Sequence, residues 1–120
     1  MRAFMVIRNA KEDLYADTIV LQNKKSGSQI QLEFDKAEWG KKGNRIEITL
    51  IGESKQSLIP NELQELGDNE YTYNYLRNCE VDYVNVSKEI DNTDKLKLEH
   101  LSILVSNKPI HFKCNNAKIY

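Results

Sequence analysis

Alternation of apolar and polar residues runs through most of the chain and predicts β-strands. Strict alternation over residues 29–34 and 45–51 predicts two strands that each bury one face. A turn containing Gly27, which tolerates a positive φ, joins the first of these to an apolar strand at 18–22 as a hairpin. The unbroken apolar run 3–7 indicates a further strand that is covered on both faces.

Two later segments change the phase of their alternation, which predicts a β-bulge in each. In residues 79–86 the inward positions change from odd to even numbers, so we expect a bulge near Tyr83. In residues 96–105 they change from even to odd numbers, so a second bulge is expected near His100. Two shorter strands are expected at the end of the chain, at 110–114 and 118–120.

Three segments between these strands carry the signals of short helices. A capping-box spacing predicts a helical turn over residues 9–16. Residues 35–40 have the same spacing and end in glycine, so one turn is expected to bring Trp39 down as a lid on the core. Residues 60–67 begin with proline and end with glycine, which predicts a third helix, and residues 54–57 before it are expected to be a loop.

The segment that contains Tyr71, Tyr73 and Tyr75 is compatible with two structures. In an extended chain the three rings share one face, whereas a helix pairs Tyr71 with Tyr75 and turns Tyr73 away. Because tyrosine and threonine favour extended backbone, we predict a strand here.

These elements together indicate the fold class. Seven or eight strands, one to three short helical turns and no regular strand–helix alternation predict a mainly β protein. The expected architecture is an antiparallel β-sandwich or a half-open barrel. A chain of 120 residues with 40% hydrophobic and 29% charged residues fits a single domain over residues 1–120.

Cysteine content and apolar runs indicate the compartment. A chain of this length can bury a core without metal or disulfide, so Cys79 and Cys114 are expected to be reduced core residues. The apolar run at the start of the chain is too short for a signal peptide, and no run approaches the roughly 20 apolar residues of a membrane helix. We therefore expect a cytoplasmic protein.

Charge is unevenly distributed along the chain. Residues 61–94 contain nine acidic and two basic residues, a formal charge of −7, whereas residues 1–60 sum to +2 and residues 95–120 to +4. The acidic segment also contains four of the six tyrosines. Tyrosine is enriched at protein interfaces, and clustered carboxylates steer docking onto a basic surface. The expected partner-binding residues are Asp68, Glu70, Tyr71, Tyr73, Tyr75, Glu80, Asp82, Tyr83, Glu89, Asp91 and Asp94.

The two histidines provide one catalytic alternative. His100 and His111 are the minimum for acid–base chemistry on RNA, with Lys97 or Lys113 to stabilise developing phosphate charge. This alternative is a small His-dependent ribonuclease. Polar residues at such strand positions are also ordinary in proteins without catalytic activity.

Other chemical signals are weak. The chain has no glycine-rich phosphate loop, no paired-cysteine knuckle and no Gly-x-Ser-x-Gly turn, so we expect no cofactor. His111 and Cys114 lie on opposite faces of a strand, so no metal is expected. The lysine pairs at 24–25 and 41–42 lie in predicted turns and would form a modest basic edge, as in a nucleic-acid-binding β module.

In its size, its β content, its one acidic region and its lack of an active-site motif, the chain resembles the small immunity proteins of bacterial toxin–immunity pairs, including contact-dependent growth inhibition systems. The resemblance is one of general character over the whole chain, and no motif maps family residues onto this sequence. It implies a cytoplasmic antitoxin that binds one cognate toxin domain, often a basic nuclease, and blocks its active site or substrate groove. A non-catalytic structural module is a further alternative.

Overall fold

The computed structural model describes residues 1–10, 14–52, 55–59, 67–88 and 95–120. These ranges contain ten strands and one helix. In chain order they are β1 Arg2–Arg8, β2 Leu14–Asn23, β3 Gln29–Glu33, β4 Lys36–Lys42, β5 Arg45–Ile51, β6 Lys55–Ile59, α1 Glu70–Leu76, β7 Cys79–Lys88, β8 Lys97–Val105, β9 Lys108–Phe112 and β10 Lys118–Ile119. The mainly β class is therefore confirmed, with more strands than expected.

The strands form two five-stranded sheets. Sheet A has the order β4-β5-β1-β8-β9, and sheet B has the order β10-β7-β2-β3-β6. The described strand pairs are antiparallel except for β10 with β7, which is parallel. One cluster of buried apolar side chains is built from both sheets, as a β-sandwich or half-open barrel requires.

Alternation places the core on one face of each sheet. Ala3, Met5 and Ile7 of β1 are completely buried, whereas Phe4 and Val6 on the opposite face are only half-buried. The prediction that this strand is covered on both faces is therefore wrong, because the outer side chains keep part of their surface exposed. Its apolar run instead leaves apolar side chains on the outer face of that sheet.

Both predicted bulges are present. Val6 pairs with His100 and Ile7 with Leu98, so Glu99 is the additional residue in β8. In β7, Tyr83 pairs with Val20 while Val81 pairs with Leu21, so the additional residue there is Asp82. After each bulge, the residues that face the core change between even and odd numbers, as the sequence pattern indicates.

The helix predicted over residues 9–16 is wrong in its described part, because Leu14–Asn23 is strand β2, while residues 11–13 lie outside the described ranges. Asn9 adopts a left-handed conformation with φ 64°. Its side-chain amide donates to the carbonyl of Lys95 at 3.0 Å instead of capping a helix. The side chain that gave the helix signal therefore ends β1.

The predicted helical turn at 35–40 is also wrong, since Lys36–Lys42 is strand β4. Gly43, at φ 62°, turns the chain so that β4 pairs with β5 over its whole length. Trp39 pairs with Ile48 and lies half-buried against the core, so it covers the edge of the core as a strand residue. Backbone pairing along a seven-residue ladder outweighs one capping signal.

Two further predictions concern the segment between β5 and α1. The expected loop at 54–57 is wrong, because residues 55–59 form β6, which pairs with β3 at the edge of sheet B. The helix predicted over 60–67 lies outside the described residues except for Gly67.

Within the described ranges, no helix has the length and the apolar character that a membrane span requires.

Candidate functional site

The tyrosine segment folds as a helix, which corrects the predicted strand. Asn69 has extended backbone and is the N-cap, and its side-chain oxygen accepts from the Thr72 N–H at 3.0 Å. Leu76 is completely buried and fixes the other end of the helix against the core. A capped turn with a buried apolar residue outweighs the strand propensity of its tyrosines.

Helical geometry separates the three tyrosines. Tyr71 is 61% exposed, whereas Tyr73 and Tyr75 are half-buried against the core. The ammonium group of Lys108 lies over the Tyr73 ring, 5.5 Å from its centroid. Of these three expected anchors, Tyr71 is therefore the one that presents most of its ring to a partner.

Asp68 and Glu70 flank the start of α1. Asp68 joins α1 to the turn between β8 and β9, because its carboxylate accepts from the Ser106 N–H and its carbonyl accepts from the Ser106 hydroxyl at 2.7 Å. The amino group of Met1 lies 3.6 Å from the same carboxylate. Glu70 is exposed in the first helical turn, where a carboxylate favours the helix dipole. We call Asp68, Glu70 and Tyr71 the helix cluster.

A second group lies on the outer face of sheet B. Glu80 is exposed, and Asp82 accepts from the side-chain amide of Gln29 at 2.6 Å. Tyr83 packs edge-to-face against Tyr120, with ring centroids 5.1 Å apart. We call Glu80, Asp82, Tyr83 and Tyr120 the strand cluster.

Tyr120 is a surface residue that the sequence analysis missed. It is 55% exposed and lies far from the acidic segment in sequence. The parallel pairing of β10 with β7 brings it beside Tyr83, and the Tyr120 N–H donates to the carbonyl of Val84 at 3.0 Å. The only signal in the sequence was the predicted edge strand at 118–120, which did not identify its neighbour.

The carboxylates of the strand cluster have cationic neighbours. Glu80 and Asp82 line a groove of about 360 Å³ together with Lys24, Arg77 and Lys113. This groove therefore has mixed charge, because its carboxylates lie beside two lysines and one arginine. None of the three residues of the helix cluster lines this groove.

Three of the expected contacts, Glu89, Asp91 and Asp94, lie outside the described residues. The remaining eight are the three residues of the helix cluster, the two half-buried tyrosines, and all of the strand cluster except Tyr120. The helix α1 leads directly into β7, so both clusters belong to one continuous segment of the chain.

The two histidines lie together on the other sheet. His100 and His111 lie on the outer face of sheet A, with ring centroids 6.0 Å apart. In the described part of the chain, no three His, Cys, Asp or Glu side chains are arranged to hold a metal ion. Cys79 is buried and Cys114 half-buried, and both are free thiols.

Burial raises the pKa of the Cys79 thiol from its ordinary value of 9.0 to about 11, and a hydrogen bond from the Asn23 side chain opposes this shift in part. The unfolded chain therefore loses this proton above pH 9, while the folded chain keeps it until about pH 11. The stabilising effect is complete below pH 9 and is lost as the pH rises towards 11.

Wild-type protein is accordingly expected to lose more stability than a Cys79→Ala variant when urea unfolding is compared at pH 8 and pH 10.5. The variant lacks the titrating thiol and retains the other groups that titrate in this range. An equal loss in both proteins would show that Cys79 ionises in the folded state as easily as in the unfolded state.

The fold and the two clusters define a mainly β, two-sheet protein with tyrosines and carboxylates on its surface. The chain matches no protein-family model, no curated protein and no solved structure.

Proposed function

We propose that this chain is an immunity-type protein that binds and neutralises a cognate toxin domain, a basic nuclease, through the helix cluster and the strand cluster. The partner is a protein with a cationic substrate groove. In the complex, the carboxylates take the positions that the phosphates of a nucleic acid would take in that groove. The tyrosines pack against the toxin surface between these carboxylates.

The observation that carries this proposal is the pairing of exposed tyrosines with carboxylates. The exposed large apolar side chains in the described part of the chain are Tyr71 and Tyr120. Tyr71 follows the exposed Glu70, and Tyr120 packs on Tyr83, which follows Asp82. Tyrosine buries a large rigid area and keeps a polar hydroxyl, so it is a frequent anchor where two proteins meet.

The two residue types have different roles in this account. Exposed carboxylates attract a basic protein over distance and raise the association rate, whereas a buried aromatic anchor slows dissociation. A contact of standard size covers about 800 Å² on each partner, and a few central residues dominate its binding energy.

The proposal requires a toxin with a C-terminal nuclease domain to be encoded next to this chain's gene, and the direct test uses that domain. We expect the two purified proteins to elute together from a sizing column at 1:1 stoichiometry, and the nuclease activity of that domain to fall in proportion to the added chain. Separate elution together with undiminished nuclease activity would reject the proposal.

Substitutions in the helix cluster test the division of roles. Tyr71→Ala is expected to raise the dissociation rate about tenfold, because it removes an anchor worth roughly 1.4 kcal/mol. Glu70→Lys is expected to slow association and to flatten its dependence on salt. Both rates are measured by surface plasmon resonance at two salt concentrations.

The matched control is Glu38→Lys. It reverses the charge of another exposed carboxylate, but on strand β4 of sheet A, away from both clusters. The control is expected to leave both rates close to those of the wild type. If Glu38→Lys and Glu70→Lys slow association equally, total charge rather than this surface guides the encounter.

A small His-dependent ribonuclease is the second candidate, and one observation favours it. The 6.0 Å separation of the His100 and His111 rings would let the two imidazoles act on opposite sides of one phosphodiester. Incubating the purified chain with mixed RNA tests this candidate, and cleavage must disappear in both His100→Ala and His111→Ala. Intact RNA after incubation with wild-type protein would exclude it.

A further inference from the structure

Sheet A concentrates positive charge in a chain whose total charge is −1. Its five strands carry eight lysines and arginines against three glutamates, a formal charge of +5 with histidines neutral, whereas the five strands of sheet B sum to −1. These strands are scattered along the sequence, so the topology creates the concentration. A surface of this charge attracts anions.

Four of the cations lie side by side on the outer face, at one end of four neighbouring strands. Lys42 lies opposite Arg45, Arg45 opposite Arg8, and Arg8 opposite Lys97. We call these four residues the cationic row. At a strand spacing of about 4.8 Å, the row is about 14 Å long. Like charges directly opposite each other destabilise a sheet, so packing alone does not account for this register.

Two glutamates orient the row without neutralising it. The Glu99 carboxylate accepts from the Arg8 guanidinium at 2.8 Å and lies 3.5 Å from that of Arg45. Glu47 lies 3.8 Å from the Lys42 ammonium. Four cations against two carboxylates leave a net charge of +2, and both arginines are held in place at the surface.

Three rings lie beside the row on the same face. The Phe4 and His100 rings are 5.8 Å apart in an edge-to-face arrangement, and the His100 and His111 rings are 6.0 Å apart. We call Phe4, His100 and His111 the ring trio. Ser102 pairs with both Phe4 and His111 and is only 5% exposed, although it points away from the core. The rings therefore cover the middle of this face.

We propose that the outer face of sheet A binds single-stranded nucleic acid, with the cationic row on the phosphates and the ring trio stacking on the bases. Val6, which pairs with His100, separates the trio from Arg8 and adds an apolar surface between them. Cations that follow the backbone beside aromatic rings that take the bases are the two parts that sequence-tolerant single-strand binding requires.

A single strand fits this face better than the alternatives. A duplex hides its base faces, so it would use the row and leave the trio without a partner. An acidic protein would likewise contact the cationic row and leave the ring trio without a partner. The proposed toxin partner is assigned to the helix and strand clusters, and this face meets the strand cluster at one place, because His111 lines the same groove as Glu80 and Asp82.

Fluorescence anisotropy of a labelled 12-nucleotide oligouridylate, titrated with the full chain in 50 mM salt, measures this binding. We expect saturable binding. The logarithm of the association constant should fall linearly with the logarithm of the salt concentration, with a slope of roughly −2 to −3 for three or four phosphate contacts. No binding by the wild-type protein would overturn the proposal.

Two pairs of variants separate the row from the trio. Lys97→Ala is expected to weaken binding and to reduce the salt slope by about 0.7, whereas Lys25→Ala, an exposed lysine in the β2–β3 turn, leaves both unchanged. His111→Ala is expected to weaken binding about fivefold or more with little change in slope, because it removes one stacking ring. Gln31→Ala removes a half-buried side chain from the outer face of sheet B and should have no effect. Equal effects within either pair would overturn the proposal.

Competition distinguishes the ligand classes. Unlabelled single-stranded RNA should displace the probe at lower concentrations than a duplex of the same length or polyglutamate of matched charge. Displacement at equal concentrations by all three would show that the face recognises negative charge only, and would also overturn the proposal.

Discussion

Replacing Leu101 with alanine is expected to lower the free energy of unfolding by about 2–5 kcal/mol, the usual cost of emptying a buried leucine site. Leu101 is completely buried on β8, where it pairs with Met5 of β1 and Phe112 of β9. Leu101 and these two neighbours belong to three adjacent strands of sheet A, so the surrounding backbone cannot collapse into the space.

Leu104→Ala is the matched control, because Leu104 is a half-buried residue of the same strand that points to the outer face. Less apolar area is lost there, so the expected cost is roughly 1 kcal/mol or less. Urea unfolding followed by circular dichroism measures both. Equal costs would mean that the bulge at Glu99 does not set which side chains of β8 point inward.

Gly52→Ala is expected to destabilise the protein by about 1–3 kcal/mol, because its backbone conformation is one that other residues rarely adopt. Gly52 has φ 125° at the end of β5. An added Cβ would lie 2.8 Å from the Asp35 Oδ2 atom and 2.9 Å from the Asp35 Cβ atom. The carboxylate can rotate away, but the Cβ atom is fixed to the backbone.

Gly40→Ala serves as the control for this substitution. Gly40 lies in β4 with no atom within 4 Å of an added Cβ. Alanine there is expected to raise the free energy of unfolding by up to roughly 1 kcal/mol, since it restricts the unfolded chain without strain. If thermal unfolding shows that Gly52→Ala is no more destabilising than Gly40→Ala, the conformation assigned to Gly52 is wrong.

Local alternation was sufficient to predict the strands whose two faces differ. The hairpin around Gly27 and the strand at 45–51 form as expected, because each has one apolar and one polar face. The two bulges were predictable for the same reason, since one additional residue leaves a visible change of phase.

Edge strands and the helix could not be predicted in this way. Most side chains of β4 are exposed on both faces, so its sequence shows no alternation and a capping signal was misleading. For α1, the cap at Asn69 and the burial of Leu76 outweighed the strand preference of three tyrosines. Local preferences of about 1 kcal/mol are easily exceeded by tertiary contacts.

The surface was less predictable than the fold, because a surface is assembled from distant segments. The charge and the tyrosine content of the sequence indicated Glu70 and Tyr71 as candidate contacts, and these two residues remain adjacent in any structure. The contact of Tyr120 with Tyr83 and the cationic row depend on which strands are neighbours. Residues 45 and 97 are far apart in sequence, and only the position of β1 between β5 and β8 brings their charges together.

Amide hydrogen exchange tests the central claim, that the helix and strand clusters contact a basic toxin domain. Exchange is measured for the chain alone and after addition of the toxin domain that the proposal assigns to it as partner. We expect added protection in residues 68–76 and 79–85, with exchange in β1, β4 and β5 unchanged. Protection confined to the strands of sheet A, with residues 68–76 unaffected, would contradict it.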